Sequence, residues 1–342
     1  MKALRIFVPQ PIPASAAERL EQLGDVTTYP HTDRRIPYDE LLEAVADQDI
    51  LYAMGEIPYD AQVIAAAERL QYIAAMHGSA TFVDKAAATE RGIPVSLLGR
   101  RSVRTTAEFT FVLLVTTAWR IPEADQFMRA GKWKQNQSMA FLGTRLFGKT
   151  LGIVGMGNIG TGLATRARAM GMDIIYSKRT QLSHVVESAM GVEYRSLEDL
   201  FRESDFVALT PPLTTETKGM IDADLIALMK PSAILINTSR GLVIDESALE
   251  QALVEGRIRG AGLDVYEREI PEVESPGPSE RFKSLPNVVL TPHIGTAARE
   301  SREDMARQTV DNIERFVNGL RPNNVCNPEI YGEEAVHSDV IG

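Results

Sequence analysis

The chain has 342 residues, of which 44% are hydrophobic and 24% charged, with a formal net charge of −10. The length favours two domains and the composition is that of a soluble globular protein. The acidic balance and the lack of any basic run exclude nucleic acid and membrane surfaces as principal partners, so an anionic substrate must be drawn in by a local positive site.

From the N-terminus, "MKALRIFVPQPIP" has a short apolar run cut by prolines and lacks the long apolar core of a signal peptide. Cys326 is the one cysteine, which excludes an intrachain disulfide and fits a reducing, cytoplasmic setting. Short apolar runs follow in sequence: LRIFVP (4–9), ILYAM (50–54), QYIAAM (71–76) and IPVSLL (93–98). A second series is LGIVG (151–155), DIIYS (173–177), DFVALT (205–210), AILIN (233–237), GAGLDV (260–265) and NVVLTP (287–292). Such runs read as strands buried on both faces, the mark of parallel sheets covered by helices. Between them lie helical patterns; Ile159, Leu163, Ala167 and Met170 fall on one expected stripe.

FTFVLLVTTAW (109–119) is too short to span a membrane, is flanked by Glu108 and Arg120, and reads as a buried helix. The two series meet near residues 102–109. A last helix over about 301–318 carries Ala306, Val310, Ile313 and Val317 on one stripe, so the first domain is expected to be discontinuous. The Pro-, Ser- and Glu-rich stretch 271–286 reads as an exposed loop, and the polar tail after Pro328 as loosely held. The expected fold class is α/β, with two doubly wound parallel-sheet domains.

The sharpest short motif is GMGNIG (155–160), a G-x-G-x-x-G between an expected strand and helix. Gly155 suits the tight turn, Gly157 the approach of backbone to a pyrophosphate, and Gly160 the packing of helix on strand. The N–H groups of Met156, Asn158 and Ile159 then face the phosphates of a dinucleotide at the helix start. About 20 positions on, an acid would hydrogen-bond an adenosine ribose and repel a 2′-phosphate. Here Ser177 stands 22 positions beyond Gly155, followed by Lys178, Arg179 and Thr180. A hydroxyl and two cations suit a 2′-phosphate, so NADP(H) is expected in preference to NAD(H).

Three ionisable residues sit at or just beyond strand ends downstream of this loop: Arg240, Glu269 and His293. Open parallel sheets bind ligands at those ends. A histidinium can protonate a carbonyl oxygen, a carboxylate on its other ring nitrogen can hold it, and an arginine can pair with a substrate carboxylate. Singly, each has an ordinary structural alternative: a salt-bridged arginine, a surface acid, a satisfied core histidine.

The segments GMGNIG, NTSRG (237–241), GAGLDVYERE (260–269) and LPNVVLTPHIG (285–295) resemble the signatures of the D-isomer-specific 2-hydroxyacid dehydrogenases. That family includes glyoxylate and hydroxypyruvate reductases, D-3-phosphoglycerate dehydrogenases and D-lactate dehydrogenases; the resemblance runs from about residue 4 to residue 328. It implies a Rossmann dinucleotide domain over 102–297 inserted in a flavodoxin-like substrate domain made of 1–101 and 298–342. It implies Arg240 as the substrate arginine, Glu269 as the acid partner and His293 as the acid/base. Thr210, Pro211, Pro212, Thr238, Ser239, Asp264 and Gly295 join the expected cofactor residues, with His293 at the nicotinamide end. A homodimer is implied, with the helix near residues 108–119 in its interface.

The family's substrate-carboxylate loop falls on MHGSA (76–80), where the N–H groups of Gly78 and Ser79 would bind the carboxylate. His77 and Ala80 depart from residues common in relatives, so His77 either touches substrate or lines the cleft. Thr210 departs likewise, in a place where relatives often carry His or Cys. Glu269 argues against formate dehydrogenases, which carry glutamine there, and Gly78 against phosphite dehydrogenases, which carry lysine. Hydrolase and zinc-protease motifs are absent. The expected partner is a small 2-oxo or 2-hydroxy acid, and no regulatory domain is expected after the last helix. The alternative from another functional class is a nucleotide-sensing, corepressor-like binding protein of the same fold.

Overall fold

The computed structural model describes residues 3–55, 57–99, 103–269 and 277–332. The junction at residues 100–102, residues 271–276 of the Pro-rich loop and the tail after Gly332 lie outside the described residues. The chain divides into two compact units, Met1–Ser102 with Ala297–Ile341, and Val103–Thr296.

The first unit is built on β1 (Leu4–Val8), β2 (Gly24–Thr28), β3 (Ile50–Ala53), β4 (Tyr72–Ala75) and β5 (Val95–Ser96), in the order β2-β1-β3-β4-β5. Every pairing is parallel. Alternate side chains enter opposite cores because strand residues alternate faces. Ile6, Val8, Ile50, Tyr52, Tyr72 and Ala74 pack on one side, and Phe7, Leu51, Ala53, Ile73 and Ala75 on the other. The returning helix Arg299–Val317 buries Ala306, Val310 and Ile313 in the first of these cores. It leaves Val317 at the rim, half-buried.

The second unit holds β6 (Thr150–Val154), β7 (Asp173–Ser177), β8 (Val192–Tyr194), β9 (Phe206–Leu209), β10 (Ile234–Asn237), β11 (Gly260–Leu263) and β12 (Val288–Leu290). Their order is β12-β11-β10-β9-β6-β7-β8, again parallel throughout. The chain runs outward from β6 to β8, then returns to β9 on the other side of β6. That reversal between β6 and β9 is the topological switch point where such sheets open a crevice.

Four local expectations change. The edge strands β2 and β8 were not anticipated, because GDVTT is largely exposed and in VEY only Val192 is buried. An edge strand needs no continuous apolar run. The helix at 109–119 is longer, Val103–Ala118, and only one stripe of it is buried: Ala107, Thr110, Leu113, Leu114, Thr117 and Ala118. Val112 is exposed, so this helix is not enclosed. In the helix Asn158–Ala169 the buried stripe is Gly160, Leu163, Ala164 and Ala167. Ile159 is only half-buried, and Met170, beyond the last turn, is exposed. Within the expected loop 271–286, Glu280–Ser284 is a helical turn capped by Ser279 and anchored by buried Phe282.

Candidate active site

The phosphate loop lies at the switch point. Gly155 ends β6 with φ +92°, a conformation that L side chains rarely adopt. A Cβ there would lie 2.8 Å from the Pro211 nitrogen, and one on Gly160 would lie 2.4 Å from the Gly155 carbonyl oxygen. Backbone thus fills the space that side chains would need, and the helix starts at Asn158 with Gly157 as its cap. The exposed start of this helix is a cradle for phosphate, so the residues present fit a dinucleotide. Thr210, just past β9, donates its hydroxyl to the carbonyls of Gly155 (2.6 Å) and Val154 (3.1 Å). Its side chain therefore braces the loop from beneath, and Pro211 packs against Gly155.

The end of β7 is beside the loop: Val154 pairs with Ser177, and the Gly155 N–H donates to the Ser177 carbonyl at 2.8 Å. Ser177 and Lys178 are half-buried, while Arg179 and Thr180 are exposed. Two cations therefore follow the strand that lies next to the phosphate loop.

The three ionisable residues lie beyond β10, β11 and β12, which are consecutive neighbours in the sheet. At the end of β10, the fully buried Asn237 ties the chain into a tight turn. Its Oδ1 accepts from the N–H and hydroxyl of Ser239, and its Nδ2 donates to the Arg240 carbonyl. Thr238 is hydrogen-bonded to Thr110 at 2.7 Å. The hydroxyls of Thr238 and Ser239 are thus turned into the protein, and what these two residues present at the strand end is backbone. Arg240 follows in extended conformation, half-buried, with one guanidinium nitrogen donating to the Ser239 carbonyl at 2.7 Å.

Glu269 closes the short turn Glu267–Glu269. Its Oε1 accepts the Tyr266 N–H at 2.9 Å, and its Oε2 lies 3.1 Å from His293 Nδ1. His293 has φ +54°, uncommon for a residue with a side chain. Asp264 holds it there. The Asp264 carbonyl accepts the His293 N–H at 3.0 Å. The carboxylate accepts the N–H groups of Ile294 and Gly295, each at 2.9 Å, and the Thr291 hydroxyl at 2.6 Å. Burial pushes the Asp264 carboxyl up, while those hydrogen bonds and the charge of His293 oppose the shift. Asn237, Thr110, Thr291 and Glu246, the last described below, are supports that reading the sequence missed. Only Asn237 left a signal, as an asparagine at a strand end before a turn.

In the first unit, the segment after β4 holds His77, Gly78 and Ser79. A Cβ on Gly78 would meet nothing within 4 Å, so its backbone borders open space. The Ser79 N–H, expected to be available to a carboxylate, instead donates to His77 Nδ1 at 3.0 Å. His77 packs edge-on against Phe82 with ring centroids 5.3 Å apart.

Among the described residues no helix is long and apolar enough to cross a membrane, and no group of histidine, cysteine and carboxylate residues is placed to hold a metal ion. Residues 111–295 match the family described as D-isomer specific 2-hydroxyacid dehydrogenase, NAD binding domain. The glyoxylate reductase of Thermococcus kodakarensis is 43% identical over 330 residues, covering 95% of this chain and 97% of that protein. The glyoxylate reductase of Aeropyrum pernix is 39% identical over 334 residues, covering 96% and 98%. A crystal structure of an NADPH-dependent glyoxylate/hydroxypyruvate reductase from Sinorhizobium meliloti, in complex with NADP and malonate, superposes with a TM-score of 0.79 at 29% identity, covering 95% and 97%. With a dinucleotide loop at the switch point and an arginine, a glutamate and a histidine beyond three adjacent strands, the chain belongs to the D-isomer-specific 2-hydroxyacid dehydrogenases and is an NAD(P)-dependent oxidoreductase of that family.

Proposed function

We propose that the protein reduces a small 2-oxo acid of the glyoxylate or hydroxypyruvate class to its 2-hydroxy acid, with NADPH preferred to NADH. The observation that carries this reading is the Glu269–His293 pair, 3.1 Å apart, beyond the strands next to the one that presents Arg240. The Arg240 guanidinium pairs with the substrate carboxylate and polarises the adjacent carbonyl. Glu269 accepts a hydrogen bond from the Nδ1–H of His293, which keeps that proton while Nε2–H delivers its own to the carbonyl oxygen. The bound nicotinamide supplies the hydride. Gly155, Met156, Gly157, Asn158, Ile159 and Gly160 hold the pyrophosphate. The Pro211–Pro212 segment and the backbone at Thr238, Ser239 and Gly295 frame the rest of the cofactor, with Asp264 fixing the nicotinamide end.

The preference for NADPH rests on Ser177, Lys178, Arg179 and Thr180, which offer hydroxyls and positive charge where an acid would repel a 2′-phosphate. The names of the relatives agree on substrate class: glyoxylate for the archaeal reductases, glyoxylate and hydroxypyruvate with NADPH for the Sinorhizobium enzyme. In the first unit we assign Gly78 and its neighbours to the substrate loop, and the hydrogen bond from the Ser79 N–H to His77 sets the shape of that segment. We further assign a homodimer and a cytoplasmic setting. The dimer is supported by exposed apolar side chains clustered in one part of the chain: Val112, Trp119, Ile121, Met128, Trp133 and Phe147.

The test is oxidation of NADPH and of NADH by the purified protein across a panel of 2-oxo acids. Turnover of glyoxylate or hydroxypyruvate, faster with NADPH, is expected. Cofactor binding without turnover of any 2-oxo acid would contradict the enzymatic reading and favour a sensing protein of the same fold.

A further inference from the structure

A carboxylate that none of these roles uses stands behind the Glu269–His293 pair. Glu246 opens the helix Glu246–Val254, directly after its capping residue Asp245. Its Oε1 accepts the Glu267 N–H at 2.6 Å. That N–H begins the turn Glu267–Glu269, whose other end Glu269 ties down through the Tyr266 N–H. Gly241, the residue after Arg240, closes the arrangement. A Cβ there would lie 1.9 Å from the Tyr266 carbonyl carbon, so the Arg240 segment and the Glu269 turn touch backbone to backbone. The turn that carries the acid partner is thus clamped between Glu246 and Gly241.

We propose that Glu246 is a positioning residue for the acid–base pair: it fixes the turn that carries Glu269, and its negative charge helps His293 keep its proton. This inference rests on the catalytic reading of Glu269 and His293 given above. The titratable and charged groups on the elements packed around Glu246 include Asp245 and Glu250 on its own helix, Asp222 and Asp224 at the start of the helix packed against it, Tyr266, Glu267, Arg268 and Glu269 on the turn, and Arg240 beside Gly241. Arg281 reaches Glu250 from the helical turn behind it, and Asp264 and His293 lie beyond Glu269.

Burial first, then the like charges of Glu267, Glu269 and Glu250, push the Glu246 carboxyl up to about 7, against the hydrogen bond from the Glu267 N–H. Its charge therefore depends on pH within the working range. Below that point Glu246 is largely neutral and adds nothing to the field at the pair. Above it, one more negative charge stands near Glu269, and the imidazolium is favoured. The charge acts on the alkaline limb of the pH profile, where reduction fails as His293 loses its proton, and spares the acidic limb.

Glu246→Gln retains an oxygen to accept the Glu267 N–H but no charge. The alkaline limb of kcat/KM for 2-oxo acid reduction should move to lower pH by about half a unit, with the acidic limb unmoved. The titration of the His293 imidazole, followed by NMR in the cofactor-free protein, should move in the same direction by a similar amount. Glu246→Ala also removes the acceptor and should lower kcat by about 3- to 30-fold across the pH range. A Glu246→Gln profile that overlays the wild type, or one lowered uniformly with neither limb nor imidazole titration moved, would overturn the proposal. The two readings fail separately. An active His293→Ala enzyme breaks the catalytic assignment, whereas an inactive one beside a Glu246→Gln enzyme that titrates like the wild type breaks only this inference.

Discussion

The end of β7 and the ends of β10 to β12 are both places where a parallel sheet hands the chain to a loop, yet they are built differently. Beyond β10 to β12 the backbone is tied down by side chains, buried at Asn237 under Arg240 and Asp264 around His293, and half-buried at Glu246 under the Glu269 turn. Beyond β7, Arg179 and Thr180 project from an exposed segment. A proton donor must be held to a fraction of an ångström to act, so the chemistry sits where the backbone is over-determined. Selection between two cofactors that differ by one phosphate needs only charge at about the right place, and an exposed loop supplies that. The first region should tolerate almost no change, and the second should be open to redesign.

Three substitutions sharpen this contrast. Arg240→Ala should cost most, about 10²- to 10³-fold in kcat/KM, through a raised KM and a lowered kcat, because both the carboxylate anchor and the polarising charge are lost. Steady-state kinetics with glyoxylate would expose the opposite outcome, unchanged constants, which would return Arg240 to a structural role. Glu269→Gln should lower kcat by about 10- to 10²-fold with the KM for cofactor little changed, since the amide still contacts His293 but cannot stabilise its positive charge. Ser177→Asp should cost least in total activity and move the NADPH/NADH preference by about tenfold towards NADH, because a carboxylate there accepts from the ribose and repels the 2′-phosphate. An unmoved ratio would mean that Lys178 and Arg179 do not read the phosphate.

The same division governs what could be read from the residues alone. Runs such as AILIN and GAGLDV are apolar on both faces, and only strands covered on both sides need that. The strand ends were legible with them, and so were the ionisable residues placed there. The glycines of the phosphate loop were legible because close backbone approach leaves no room for a Cβ. The edge strands β5 and β12 lie in apolar runs and were legible, whereas β2 and β8 carry mostly exposed residues and were not. The supports of the site were hidden for a different reason. Asp264 is expected among the cofactor residues but not as a support, and Glu246 not at all; they act on N–H groups 30 and 21 residues away in the chain. A side chain bonding to distant backbone leaves no periodicity and no spacing rule. Thr238, Ser239 and Thr210 mislead in another way: their hydroxyls look available in sequence and are spent on Thr110, Asn237 and Gly155.

The central claim is that His293, oriented by Glu269, delivers the proton. It is tested most directly by His293→Ala, with turnover of glyoxylate by NADPH and binding of NADPH measured on the same preparation. The account predicts that turnover falls by about 10³-fold or more while the cofactor binds with near wild-type affinity. Substantial residual turnover in a variant that still binds NADPH would contradict it and move the proton donor elsewhere.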